Sequence, residues 1–226
     1  GLAPEIGRGE PTAVAVLAES LMVSGAAMTL VGNSRPASGA EHSLSHYWEM
    51  KAAHNGEPGH LHGTLVGVGT VVMAAFWARF ADRLSSIDPE SLDPARIRAR
   101  RRSLSDIKSI LAPSLGPVAD ILLSQVTKAR LLPEEEASAR LTRLPAAWPK
   151  MASIAEEAPS VRELTDTLRQ VGGPACPADI GVGSDELREA LFGALEVRNR
   201  FSVLSAAEEL GWLDPIITEV VETVGE

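Results

Sequence analysis

Only one cysteine, Cys176, occurs in this chain, and aromatic residues make up just 4% of it. A lone thiol excludes an internal disulfide framework, and it fits a reducing compartment, so a cytoplasmic location is expected. Within the turn-rich GGPACPADIG, Cys176 reads as structural or incidental. Basic residues are scarce as well: 21 Lys and Arg against 30 Asp and Glu leave a formal net charge of −9. That balance argues against a nucleic-acid binder, whose affinity rests on cations neutralising phosphates. One local exception, Arg96 to Lys108, reads as a solvated helical face. No stretch reaches the ~18 uninterrupted apolar residues of a membrane span. The nearest, Leu65 to Ala78, is short and contains glycine. No basic region precedes an apolar one at the N-terminus, so no signal peptide is expected.

Strand signals are missing too, since no alternating apolar and polar run is bounded by turn residues on both sides. What is present is helical periodicity. Val14, Leu17, Leu21, Gly25 and Met28 recur at steps of three or four and give a helix over residues 12–31 an apolar face. GNSRPASG interrupts it, because Pro36 disfavours helical geometry at Arg35. A second helix follows from about Gly39 to Ala53, with Ser38 as N-cap and Glu41 completing a capping box. After the loop NGEPGHLHG comes a long apolar helix whose Gly67 and Gly69 cost about 1 kcal/mol each against alanine. Such glycines point to the close approach of a neighbouring element. Further helices are expected over Asp93–Ile110, Leu115–Leu131, Glu134–Ala155, Ser160–Val171, Ser184–Arg200 and Ser205–Glu222. The fold class is therefore all-α, a multi-helix bundle forming one domain over residues 1–226, with residues 1–11 as a flexible or linker segment.

All five histidines fall between His42 and His62. His42 and His46 are four apart, so on a helix they share a face about one turn apart. His62 opens a separate helix that can fold back against the first. Two helices can thus converge two or three imidazoles on one point, a geometry that suits a divalent metal with a position left for substrate or water. The alternative from the residues alone is a set of ordinary solvated or packed histidines. His54 and His60, in a loop, are expected to face solvent. Neither Ser38 nor Ser45 lies in the GxSxG elbow of a nucleophilic serine, and GVGT at Gly67 to Thr70 lies inside a helix rather than in a phosphate loop.

SRPASGAEHSLSHYWEM followed by HGTLVGVGT resembles the signature of the sn-glycerol-1-phosphate dehydrogenases, a branch of the iron-containing alcohol dehydrogenase and dehydroquinate synthase superfamily. ACPADIGVGSDELREALFGALEVRNRFSVLSAAEELGWL resembles the end of those enzymes, so the likeness runs from about residue 13 to 213. It implies the all-helical C-terminal half of a dehydroquinate-synthase-like fold, without the N-terminal α/β nucleotide-binding domain. It implies His42 and His62 as ligands of Zn²⁺ (or Fe²⁺ or Ni²⁺), with an aspartate from outside this chain as the third. His46 would be the catalytic group facing substrate, and Arg35 and Ser38 would bear on substrate binding. The implied reaction is reduction of dihydroxyacetone phosphate, with NAD(P) held only through the absent domain. The sequence departs from the pattern at His62-Gly63-Thr64, where HGE is frequent.

The implied partners are a small phosphorylated polyol or ketose, the missing nucleotide-binding domain or a separate subunit carrying it, and further copies of the chain in a homo-oligomer. An exposed apolar face is expected where the missing domain docks. Two other readings compete: a non-catalytic helical binding or assembly module, and a dehydroquinate-synthase-like enzyme acting on another polyol.

Overall fold

A computed structural model describes residues 1–88, 91, 102–130, 134–198 and 200–225. Among the described residues there is no strand, and eleven α-helices follow one another: α1 (Ala3–Gly7), α2 (Pro11–Val31), α3 (Ala40–Asn55), α4 (His62–Ser86), α5 (Leu104–Leu115), α6 (Pro117–Arg130), α7 (Glu134–Glu156), α8 (Val161–Gln170), α9 (Ser184–Val197), α10 (Val203–Glu209) and α11 (Leu213–Val224). Short 3₁₀ turns occupy Arg35–Ala37 and Pro177–Ile180. The expected all-helical class is what the chain adopts.

Helix α4 is the axis of the core. Its Leu65, Val68, Val72, Phe76, Phe80 and Leu84 are buried, and α3, α7, α8 and α11 pack around it. Each large apolar side chain so buried contributes about 1.5–3 kcal/mol, which outweighs the two helix glycines. Those glycines have the role their positions suggest. A Cβ on Gly69 would lie 2.8 Å from the Glu41 carbonyl oxygen, and one on Gly67 would lie 3.3 Å from Leu168. Gly69 thus lets α3 and α4 touch backbone to backbone.

Several boundaries differ from the periodicity. Residues 3–7, within the segment expected to be a linker, form α1, which packs on α8. Asp93 and most of the basic run lie outside the described residues. Its described end, Arg102, is not a solvated side chain: it pairs with Asp214 and lies 4.2 Å over the Phe192 ring. The helix start there is Ser103, whose hydroxyl accepts from the Asp106 backbone N–H while the Asp106 carboxylate accepts from that of Ser103. The last expected helix is split in two, because Gly211 takes φ +71° and turns the chain between α10 and α11. Helix α9 ends at Val197 rather than Arg200, and Arg198 continues in extended backbone at φ −139°, ψ 138°.

Helix α2 is the exception to burial. Of its residues only Ala13 is buried, whereas Val14, Val16, Leu17, Leu21, Met22, Val23, Leu30 and Val31 are exposed. Its apolar residues are spread around the helix, not confined to the one face that Val14, Leu17, Leu21 and Met28 suggest. By length and composition alone α2 and α4 are both apolar enough to cross a membrane; half of the α4 window is buried in the core and none of the α2 window is. This corrects the expectation that Leu65 to Ala78 comes nearest to a span: α2 is the more apolar of the two.

Candidate metal and substrate site

Helix α3 presents a histidine at each of two successive turns, and His62 stands at the first turn of α4. The close contact at Gly69 brings them together. The rings of His42 and His62 have centroids 5.4 Å apart, and those of His46 and His62 stack at 5.2 Å with a 26° tilt. The three imidazoles expected to converge do converge.

Their hydrogen bonds distinguish them. His42 Nδ1 lies 2.8 Å from Glu41 Oε1, and His62 Nδ1 lies 2.7 Å from Glu49 Oε1. An ionised carboxylate can only accept, so each Nδ1 carries the proton and donates. Each Nε2 is then left with its lone pair, and among the described residues neither has a protein partner. A carboxylate behind Nδ1 and a free Nε2 is the arrangement in which histidines ligate metals, because the outer partner holds both tautomer and ring orientation. His46 is different. Its Nδ1 faces Glu49 Oε2 at 2.8 Å, and its Nε2 faces Arg198 Nη2 at 2.6 Å. A guanidinium has no acceptor, so Arg198 donates to Nε2 and His46 is the neutral Nδ1–H form donating to Glu49. Both of its nitrogens are occupied.

Glu49 therefore joins His46 to His62. Its partial burial would raise its carboxyl pKa, yet the hydrogen bonds donated by His62 and His46 outweigh that and hold it below the usual carboxylate range. The outer carboxylate is thus ionised at neutral pH. One oxygen or ring nitrogen from each of His46, Glu49 and His62 lie within 4.8 Å of one another, so these three form a second candidate set for a cation. Binding there would require either displacing Arg198 from His46 Nε2 or giving up a Nδ1–H bond to Glu49, whereas the His42 and His62 Nε2 atoms require neither. The donor set His42 and His62 fits a borderline-soft divalent ion such as Zn²⁺.

Ser38 does not cap α3 as the motif suggests. Gly39 is the N-cap residue, and the Glu41 carboxylate, at the second helical position, accepts its N–H at 2.6 Å, so no capping box forms. Ser38 is instead buried, and its Oγ accepts from Arg198 Nη1 at 3.3 Å. Arg200 donates to the Ser38 carbonyl at 3.1 Å and to Ser34 Oγ at 3.0 Å. Arg35, Ser38, Glu41, Trp77, Arg198 and Arg200 line one cavity of about 500 Å³. Arg35 and Ser38, the two residues expected at the substrate, thus border one space with two arginines that periodicity assigns to a helix. The early end of α9 explains this: past Val197 the chain leaves the helix, and Arg198 and Arg200 both reach the loop at residues 34–38. Glu49 and the Arg198–Arg200 pair were not anticipated from the sequence. The i, i+3 spacing of His46 and Glu49 could have indicated the first.

The other two histidines are exposed, as expected, though each makes a contact. His54 lies in the last turn of α3 rather than in the loop, and its exposed ring covers Gly116, where a Cβ would overlap it. The loop residue His60 donates through Nε2 to the Ile180 carbonyl at 3.1 Å. Ser45 Oγ lies 3.3 Å from His62 Nδ1, but that nitrogen's proton is already directed to Glu49 and Ser45 is fully buried. No activated serine results.

The chain is 29% identical over 210 residues to a glycerol-1-phosphate dehydrogenase (NAD(P)+) of Geobacillus stearothermophilus, covering 91% of this chain and 41% of that protein. The like-named protein of Bacillus subtilis is 28% identical over 200 residues, 88% of this chain and 36% of its own. A 75-residue stretch is 45% identical to that of Halalkalibacterium halodurans, 33% of this chain and 19% of the relative. The likeness read from the motifs is thus borne out over nine tenths of the chain, which spans about two fifths of the length of these curated relatives. No protein-family model matches the chain. No solved structure matches it.

Proposed function

We propose that this chain is the helical metal- and substrate-binding part of an NAD(P)-linked, metal-dependent glycerol-1-phosphate dehydrogenase that reduces dihydroxyacetone phosphate. The observation that supports this reading is the pairing of His42 with Glu41 and of His62 with Glu49, which leaves an Nε2 lone pair unpartnered among the described residues on each of two neighbouring rings. Zn²⁺, or Fe²⁺ or Ni²⁺, held by His42 and His62 would supply Lewis-acid polarisation of the substrate carbonyl.

The chain's own residues have distinct tasks in this scheme. Glu41 and Glu49 orient the two ligands. His46, the catalytic group, sits beside His62 and holds a defined proton on Nδ1, with Glu49 as its acceptor. Arg35 and Ser38 border the cavity next to these imidazoles and bind the phosphorylated substrate. NAD(P) would be held by parts of the enzyme outside this chain, together with the third metal ligand, an aspartate.

Helix α2 supports the need for such a partner. A helix apolar all round is ordinarily covered on all sides, and eight large apolar side chains of α2 are exposed. Burying four of them would contribute on the order of 6 kcal/mol at about 1.5 kcal/mol each. We assign this surface to contact with the nucleotide-binding domain, a subunit carrying it, or another copy of the chain, in a cytoplasmic enzyme.

The relatives' shared name favours the dehydrogenase over a dehydroquinate-synthase-like enzyme acting on another polyol. The carboxylate-backed histidines favour it over a non-catalytic assembly module. The deciding experiment is a zinc titration of the purified chain. One equivalent is expected to bind, with binding lost in His42→Ala and His62→Ala and retained in His46→Ala. Loss in His46→Ala and retention in His42→Ala would instead select the set His46, Glu49 and His62. No stoichiometric binding by the unaltered chain would refute the metal site.

A further inference from the structure

The three arginines around the cavity are unusual for this protein. The chain carries a net charge of −9, and several of its other arginines find carboxylates: Arg83 with Glu219, Arg102 with Asp214, Arg140 with Glu209. Among the described residues Arg35, Arg198 and Arg200 form no ion pair. Arg198 and Arg200 are held entirely by neutral acceptors, namely the Ser38 hydroxyl, the Ser38 carbonyl, the Ser34 hydroxyl and the His46 ring. Burial, and next the charge of Arg200, weaken the hold of Arg198 on its proton. Two adjacent guanidiniums with no ion-pair partner among the described residues offer a place for an anion, although the Glu41 carboxylate lines the same cavity. Each guanidinium has five N–H donors and spends two on the protein here. Phosphate oxygens would receive the rest and compete for the donor now on the His46 ring, in charge-assisted bonds roughly twice as strong as those to neutral acceptors.

Arg198 is also the group that occupies His46 Nε2. We propose that Arg35, Arg198 and Arg200 form the phosphate-binding end of the substrate site, and that phosphate draws Arg198 off His46, releasing the Nε2 lone pair. Arg198 is then a positioning residue that ties the availability of His46 to the presence of a phosphate. An unphosphorylated polyol or ketone would leave His46 covered, so the device selects phosphate monoesters. This inference rests on the substrate class assigned above, but it does not depend on the metal.

The test uses the purified chain with inorganic phosphate as probe, read by ¹⁵N NMR of the histidine rings at one fixed pH above the histidine range. Phosphate is expected to bind saturably. His46 Nε2 should move toward the resonance of an unbonded imine nitrogen, with Nδ1 staying protonated. Arg200→Ala should weaken phosphate binding tenfold or more while keeping the phosphate-free His46 signal. Arg35→Ala, an exposed side chain whose loss leaves the helices untouched, should weaken it severalfold and serves if Arg200→Ala fails to fold. Arg198→Met should show the released Nε2 signal from the start and no further movement with phosphate. The proposal is overturned if phosphate does not bind saturably, if it binds with His46 unmoved, or if Arg35→Ala binds phosphate like the unaltered chain. Failure of zinc binding with these results intact would refute the metal reading alone.

Discussion

Replacing Glu49 by glutamine is the sharpest test of the site, because one carboxylate serves two rings. Both Glu49 oxygens accept, one from His62 Nδ1 at 2.7 Å and one from His46 Nδ1 at 2.8 Å. A glutamine amide has one accepting oxygen and one NH₂ that only donates, so one of the two Nδ1–H groups must face a donor. If it is His62, the ring turns or its proton moves to Nε2, removing the lone pair offered to metal. Loss of an outer-sphere partner typically costs 10–100-fold in metal affinity, about 1.4–2.8 kcal/mol. The cost of leaving one polar group unsatisfied, about 1–3 kcal/mol, agrees with that range. Zinc affinity should be measured by competition with a chromophoric chelator, with circular dichroism establishing that the helices persist. A Glu49→Gln protein that binds zinc within threefold of the unaltered chain, while His62→Ala abolishes binding, would refute the orienting role of Glu49.

Gly69→Ala gains about 1 kcal/mol of helix propensity but places a Cβ against the Glu41 carbonyl oxygen at 2.8 Å; overpacking of about 1–3 kcal/mol should prevail, lowering the midpoint of urea unfolding and weakening zinc binding together. Zinc affinity should fall in acid, because the ligands must be neutral, and a pH-independent affinity would contradict histidine ligation. The hydrogen bonds from Arg83 hold the Glu219 carboxyl below its usual range. Its contribution to stability is therefore present above the ordinary carboxylate pKa and lost as pH falls through the folded value. As Glu219 is 38% exposed, screening limits Glu219→Gln to a loss below about 1 kcal/mol in neutral urea melts, vanishing in acid. Leu21→Ser with Leu30→Ser on α2 should leave the helical spectrum unchanged and reduce self-association in sedimentation; unaltered sedimentation of an associating chain would exclude this face as the contact.

What could be read from the sequence was what is periodic or local. The helices from α2 through α4 and from α7 through α9 fall close to where the sequence segments place them, and the glycines at 67 and 69 marked close packing before any partner was known. The convergence of His42, His46 and His62 was legible because two short-range facts, an i, i+4 pair and a histidine at the start of the next helix, sufficed. The arginines were not. Arg198 and Arg200 reach the site only because α9 stops at Val197, a boundary set by tertiary contacts to Ser34 and Ser38 more than 150 residues earlier in the chain. Nor could Ser38 be separated from a capping role without knowing that Arg198 would claim its hydroxyl.

His62 owes its position to α4 and not to the loop before it. Eleven buried residues of that helix anchor it in the core, whereas residues 56–61 are exposed. The loop can therefore lengthen or shorten without displacing the imidazole, as long as α3 and α4 keep their contact. In comparing this chain with more distant sequences, the number of residues separating the two histidines is consequently a poor guide to a shared site. A better one is whether each histidine keeps a carboxylate behind it and whether small residues persist where the two helices meet.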